Sequence, residues 1–136
     1  MFSKVKGTYG PEGTEYVYRK LTEMDLAGKR VLGIGSQLPW VESICLSLGA
    51  AHIIILEYGK IVLKHPQVDT LTPGRMRELY SAGKLALFDA IVTHSSVKHS
   101  GLGRYGDALS PWGVCLLSHG PGACLSPALQ CTWVCL

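Results

Sequence analysis

Between Arg30 and Glu57 the chain passes through an apolar run, a glycine turn, a helix-spaced stretch and a second apolar run, an order that few folds accept. Val31-Leu32-Gly33-Ile34-Gly35 is short, apolar and closed by glycine, which reads as a buried strand entering a turn. Ser36, Gln37 and Leu38 form the loop. Pro39 suits a first helical turn, where its missing N–H costs nothing. Trp40, Val41, Ile44, Cys45 and Leu48 then recur at helical spacing, and Gly49 stands where a left-handed C-terminal cap is expected. Ile53-Ile54-Ile55-Leu56 is apolar without alternation, the pattern of an interior parallel strand covered on both faces. Two parallel strands joined by a helix make a right-handed crossover unit. The fold class is therefore α/β, with a Rossmann-like parallel sheet.

The rest of the chain extends this unit and then departs from it. Residues 1–29 read as a leader and a short helix: an irregular stretch to Gly13, then Thr14 as a cap, Val17, Leu21 and Met24 on one face, and a turn from Asp25 to Lys29. Val68 to Leu71 reads as a third strand. Thr72 and Pro73 open a helix with Met76, Leu79 and Tyr80 on one face and Gly83 at its end. Phe88 to Thr93 is a fourth strand, followed by a loop rich in Ser, Gly and His from His94 to Gly106. Residues 30–113 thus hold about four strands with flanking helices. From Val114 onward Asp, Glu, Lys and Arg vanish, and neither the strand nor the helix period fits. Residues 114–136 are therefore expected to be an atypical, poorly ordered tail, the sheet to be incomplete, and the apolar tail to lie over part of the edge left open.

Composition excludes several partners. Thirteen Lys and Arg against ten Asp and Glu give a net charge of +3, with no basic run that would attract nucleic acid. No stretch approaches the ~20 apolar residues of a membrane span. The polar start from Met1 to Gly10 lacks the apolar centre of a signal peptide, so a cytoplasmic location is expected. Four of the five cysteines, Cys115, Cys124, Cys131 and Cys135, crowd the tail. Structural zinc sites favour two close pairs, and only Cys131 and Cys135 are close, so no metal is expected.

The residues that could carry chemistry converge on one place. A strand entering a helix through Gly33-Ile34-Gly35 and Ser36 aims backbone N–H groups and the helix dipole at a ligand. A dinucleotide fingerprint needs a third glycine at position 38, where Leu38 stands, so a ligand without a pyrophosphate fits better. Glu57 follows about 20 residues after the turn, at the end of the second strand, where a carboxylate can accept both ribose hydroxyls. Ligands of open α/β sheets lie at the carboxyl ends of strands, so Thr93, His94, Ser95 and Ser96 face the same crevice. His99, in the loop beyond, is the candidate catalytic base. A solvated acid after a strand and a lone surface histidine are the plain alternatives for Glu57 and His99.

The strings Val31-Leu32-Gly33-Ile34-Gly35-Ser36-Gln37-Leu38-Pro39-Trp40-Val41-Glu42, Leu56-Glu57-Tyr58-Gly59-Lys60-Ile61, Phe88 to Thr93 and His99 to Asp107 resemble the Caenorhabditis-type domain of unknown function 268 family over about Gly28 to Gly113. That family is similar to divergent class I methyltransferases. The resemblance implies their fold and S-adenosylmethionine as the small-molecule cofactor, and names no methyl acceptor; the strand-end reading above makes Gly33, Gly35, Ser36, Glu57, Thr93 and Ser95 the residues expected to bind it. Lys98 stands where related sequences carry an acid, and the likeness ends near Trp112-Gly113. These departures support the alternative of a non-enzymatic fragment that retains a nucleotide-binding scaffold.

Overall fold

The computed structural model describes residues 7, 10–36, 38–59 and 61–94, together with the backbone of 132–135. Helix α1 (Gly10–Thr22) leads into β1 (Arg30–Ile34), α2 (Trp40–Ser47), β2 (His52–Leu56), β3 (Val68–Leu71), α3 (Pro73–Ser81), β4 (Ala90–Thr93) and β5 (Thr132–Cys135). The five strands form one sheet in the order β3-β2-β1-β4-β5, and every neighbouring pair is parallel. Order and direction together make this a Rossmann-like α/β fold. The reversal that such sheets use for binding falls between β1 and β4, because the chain first adds strands on one side of β1 and then returns to the other.

Side chains alternate across the sheet and give it two unequal faces. Val31, Ile53, Ile55, Ala90 and Val92 pack with Val17 and Leu21 of α1 and with Val41, Ile44 and Cys45 of α2. Leu32, Ile54 and Ile91 point the other way, towards Met76 of α3 and Phe88. Burial on both faces is what the unalternating Ile53-Ile54-Ile55 run requires. All three isoleucines lie in the core.

Four local features set these elements. Gly49 ends α2 at φ +89°, its N–H donating to Leu46 O at 3.0 Å while Ala50 N donates to Cys45 O at 3.1 Å, a left-handed cap of the kind its sequence position demands. Thr72 caps α3 by accepting from Arg75 N at 3.3 Å, and Pro73 follows as the first helical residue. Arg30 N donates to Asp89 Oδ2 at 2.8 Å and Asp89 N to Arg30 O at 2.9 Å, which locks the start of β1 to the start of β4. The Arg30 guanidinium lies 5.6 Å from the centroid of the Phe88 ring, itself 1% exposed.

Three sequence readings need correction. Thr14 does not cap α1, which starts four residues earlier at Gly10. Its hydroxyl instead donates to Gly10 O at 2.8 Å and accepts from Gly7 N at 3.1 Å, an internal bond that uses the same chemistry as a cap. Pro39 is the cap residue of α2 and precedes its first turn. The strand read from Phe88 begins only at Ala90, because Phe88 and Asp89 are engaged with Arg30. The sheet also has a strand that sequence analysis did not assign: β5, within 114–136, pairs with the edge of β4 from Ala90↔Thr132 to Thr93↔Cys135. Among the described residues no helix is long and apolar enough to cross a membrane, and no three metal-binding side chains converge.

Candidate functional site at the ends of β1, β2 and β4

The glycine turn stands at the centre of the sheet's carboxyl edge. β1 ends at Ile34, opposite Leu56 of β2 and Thr93 of β4. Gly35 follows with φ +76°, a conformation that L side chains rarely adopt. Its N–H donates to Leu56 O at 2.9 Å, so the turn stays tied to β2 as it leaves the sheet. The chain then passes Ser36 and Leu38 into α2, whose cap residue Pro39 supplies no side-chain hydrogen bond to the first turn.

Glu57 lies beside that turn. Its N–H donates to Leu71 O at 3.1 Å, which holds it in step with β3, and its Oε1 accepts from Tyr58 N at 2.9 Å. The carboxylate is thus half-exposed and fixed by its own neighbour. Gly35 and Glu57 each follow the last paired residues of β1 and β2, Ile34 and Leu56. Sequence spacing alone suggested this adjacency.

At the end of β4 the two faces part. Thr93 is 2% exposed, and its hydroxyl has no hydrogen-bond partner among the described residues. By strand alternation Thr93 points to the α3 side with Ile91, while His94 points to the α2 side with Ala90 and Val92. The half-buried His94 ring meets Trp40 edge-on, with centroids 5.3 Å apart and planes at 83°. Ser95, Ser96 and His99 lie outside the described residues.

One participant escaped sequence analysis. Glu42, in the first turn of α2, is 2% exposed. Its Oε1 accepts the Ser36 hydroxyl, and its Oε2 has no partner among the described residues. Burial pushes its carboxyl above the ordinary value of 4.5, and the Ser36 hydrogen bond opposes that rise. A Cβ placed on Gly33 would stand 2.5 Å from Glu42 Oε1. Burial, then the charge of Glu42, pushes the Cys45 thiol up to about 12. The available signal was an acid in a mostly apolar stretch, Trp40-Val41-Glu42-Ser43-Ile44-Cys45, shortly after a glycine turn. An exposed helix face explains such an acid equally well from sequence.

The arrangement can hold a small polar ligand over the turn. Glu57 would accept hydroxyls, and the turn and the N-terminus of α2 would supply N–H groups.

The chain belongs to the family described as Caenorhabditis protein of unknown function, DUF268, whose profile matches residues 28–117. No curated protein matches the sequence at a significant level. Among solved structures, the "putative hemolysin" of Lactococcus lactis superposes with a TM-score of 0.50 at 19% identity, over 64% of this chain and 46% of that one. The HcgC protein of Methanococcus maripaludis, cocrystallised with SAH and pyridinol, superposes with a TM-score of 0.43 at 13% identity, over 67% of this chain and 37% of that one. The chain spans less than half the length of either protein. The first likeness shows the fold alone, and the second is too loose to add to it.

Proposed function

We propose that this DUF268 member is a methyltransferase-like domain that binds S-adenosylmethionine across the carboxyl ends of β1, β2 and β4. The observation that carries this reading is the Gly35 turn, at φ +76° and tied to Leu56 O, with the half-exposed Glu57 carboxylate in step beside it where the strand order reverses. Glu57 accepts the ribose hydroxyls. Gly33, Gly35 and Ser36 present the turn to the ligand. Leu38, 63% exposed where a dinucleotide site needs glycine, favours a ligand without a pyrophosphate. When bound, the cofactor supplies an activated methyl group on a sulfonium, and protein of this kind contributes chiefly position. Thr93, Ser95 and His99 are assigned to the β4 side of the site, with His99 as the base that takes the acceptor's proton.

A second reading is a non-enzymatic scaffold that keeps the binding turn. It is favoured by the end of β4, where the Thr93 hydroxyl is buried and His94 packs edge-on against Trp40. Both readings expect cofactor binding. They part on whether His99→Ala abolishes methyl transfer to acceptors offered in a cell extract, or whether no transfer occurs with the wild-type chain either.

Calorimetric titration tests the shared claim. S-adenosylmethionine should bind saturably. Glu57→Ala should weaken binding about tenfold or more, the cost of losing charge-assisted hydrogen bonds. NAD should not compete. A folded sample that gives no heat of binding contradicts the proposal.

A further inference from the structure

At the carboxyl edge of the sheet the side chain of Glu42, from α2, is buried against β1. A Cβ on Gly33 would lie 2.5 Å from Oε1, 3.4 Å from Cδ and 3.5 Å from Cγ of Glu42, so the carboxyl fills the space that glycine leaves open. The same Oε1 accepts the Ser36 hydroxyl, which reaches back from the far side of the turn. One acid therefore touches β1 just before the turn, at Gly33, and the residue just after Gly35, Ser36. Burying an acid whose second oxygen has no partner among the described residues disfavours folding, so this placement calls for a compensating use.

We propose that Glu42 is the positioning residue of the glycine turn: its carboxyl occupies the space above Gly33 and, through Ser36, holds the turn in the shape that meets the ligand. This rests on the binding role proposed for the turn. Glycine is then required at position 33 by Glu42, and the ligand meets the turn from the Gly35 side. The wedge also explains position 38. In a dinucleotide fingerprint the third glycine lets helix and strand pack closely. Here the side chain of Glu42, from the first turn of α2, fills the space against β1, and Leu38 is free to face solvent.

A double-mutant cycle read by thermal unfolding tests the wedge. Gly33→Ala should lower Tm by about 5 °C or more. The same substitution in a Glu42→Ala background should cost less than half as much, because the obstructing carboxyl is gone. If Gly33→Ala alone does not fold, recovery of folding in the double variant is the same positive result. Equal losses in both backgrounds, or no folding in either, overturn the placement.

Titration with S-adenosylhomocysteine tests the positioning. Glu42→Gln, which keeps shape and acceptor, should bind within about threefold of wild type, whereas Glu42→Ala and Ser36→Ala should bind about tenfold more weakly while remaining folded. Wild-type affinity in Glu42→Ala overturns the positioning role, since a purely structural acid would alter Tm and leave affinity alone. If the wild-type chain binds no S-adenosylhomocysteine, the ligand reading fails by itself, and the unfolding cycle still decides whether Glu42 holds the turn.

Discussion

Glu42 gives the residue scale its pH signature. Burial raises its folded-state carboxyl above the ordinary 4.5, while the unfolded chain keeps the ordinary value. The folded state therefore holds that proton more tightly. The resulting stability is fully present below the unfolded value and is lost as pH rises through the raised folded one. Glu42→Gln is neutral at every pH and should remove this dependence. Urea unfolding should show the variant gaining on wild type as pH rises from 4.5 towards neutrality, and parallel curves would contradict it. Cys45 makes a simpler test. With its thiol pushed up to about 12 and 1% exposed, it should resist alkylation in the folded protein and react once unfolded, as peptide mapping by mass spectrometry would show. The positions of Gly35 and Glu57, directly after β1 and β2, were legible in the sequence because residue type and spacing both point to a strand end. Glu42 was not, because a helical acid carries no mark of which way it faces.

Among the elements, the caps and the sheet pattern carried most of what was readable. Thr72 followed by Pro73 marks the start of α3, and the structure places the hydroxyl on Arg75 N. Thr72→Ala should therefore destabilise the fold by about 1 kcal/mol in chemical denaturation. Thr14 shows where that signal misleads. A threonine hydroxyl can bond a carbonyl one turn back, here Gly10 O, and so sit inside a helix that its sequence position suggests it starts. The run Ile53 to Leu56 gave β2 its type and its burial on both faces, since no half-exposed strand tolerates it. The late start of β4 was hidden because the bonds between Arg30 and Asp89 join residues far apart in the chain.

For the whole molecule, the parallel order β3-β2-β1-β4-β5 has the largest consequences. The chain from Arg30 to Thr93 foretold the Rossmann-like class because two strands, a crossover helix and flanking apolar runs leave few alternatives. β5 was not foretold. Thr132 to Cys135 is only four residues long, within a stretch that shows neither period, and its place is fixed by the free edge of β4 and not by local preference. Removing residues 114–136 should therefore speed hydrogen exchange at the amides of β4, while β1 and β2, paired on both sides, stay protected. Unchanged exchange in β4 would place the tail elsewhere.

The claim that joins these scales is that the turn at Gly33 to Ser36 and the carboxylate of Glu57 form one ligand site. Amide chemical shifts during a titration with S-adenosylhomocysteine test it most directly. Saturable shifts should be concentrated at Gly33, Gly35, Ser36, Glu57 and Tyr58, with little change at the opposite ends of β1 and β2, near Arg30 and His52. No shift in a folded sample, or saturable shifts confined to that opposite end, would contradict it.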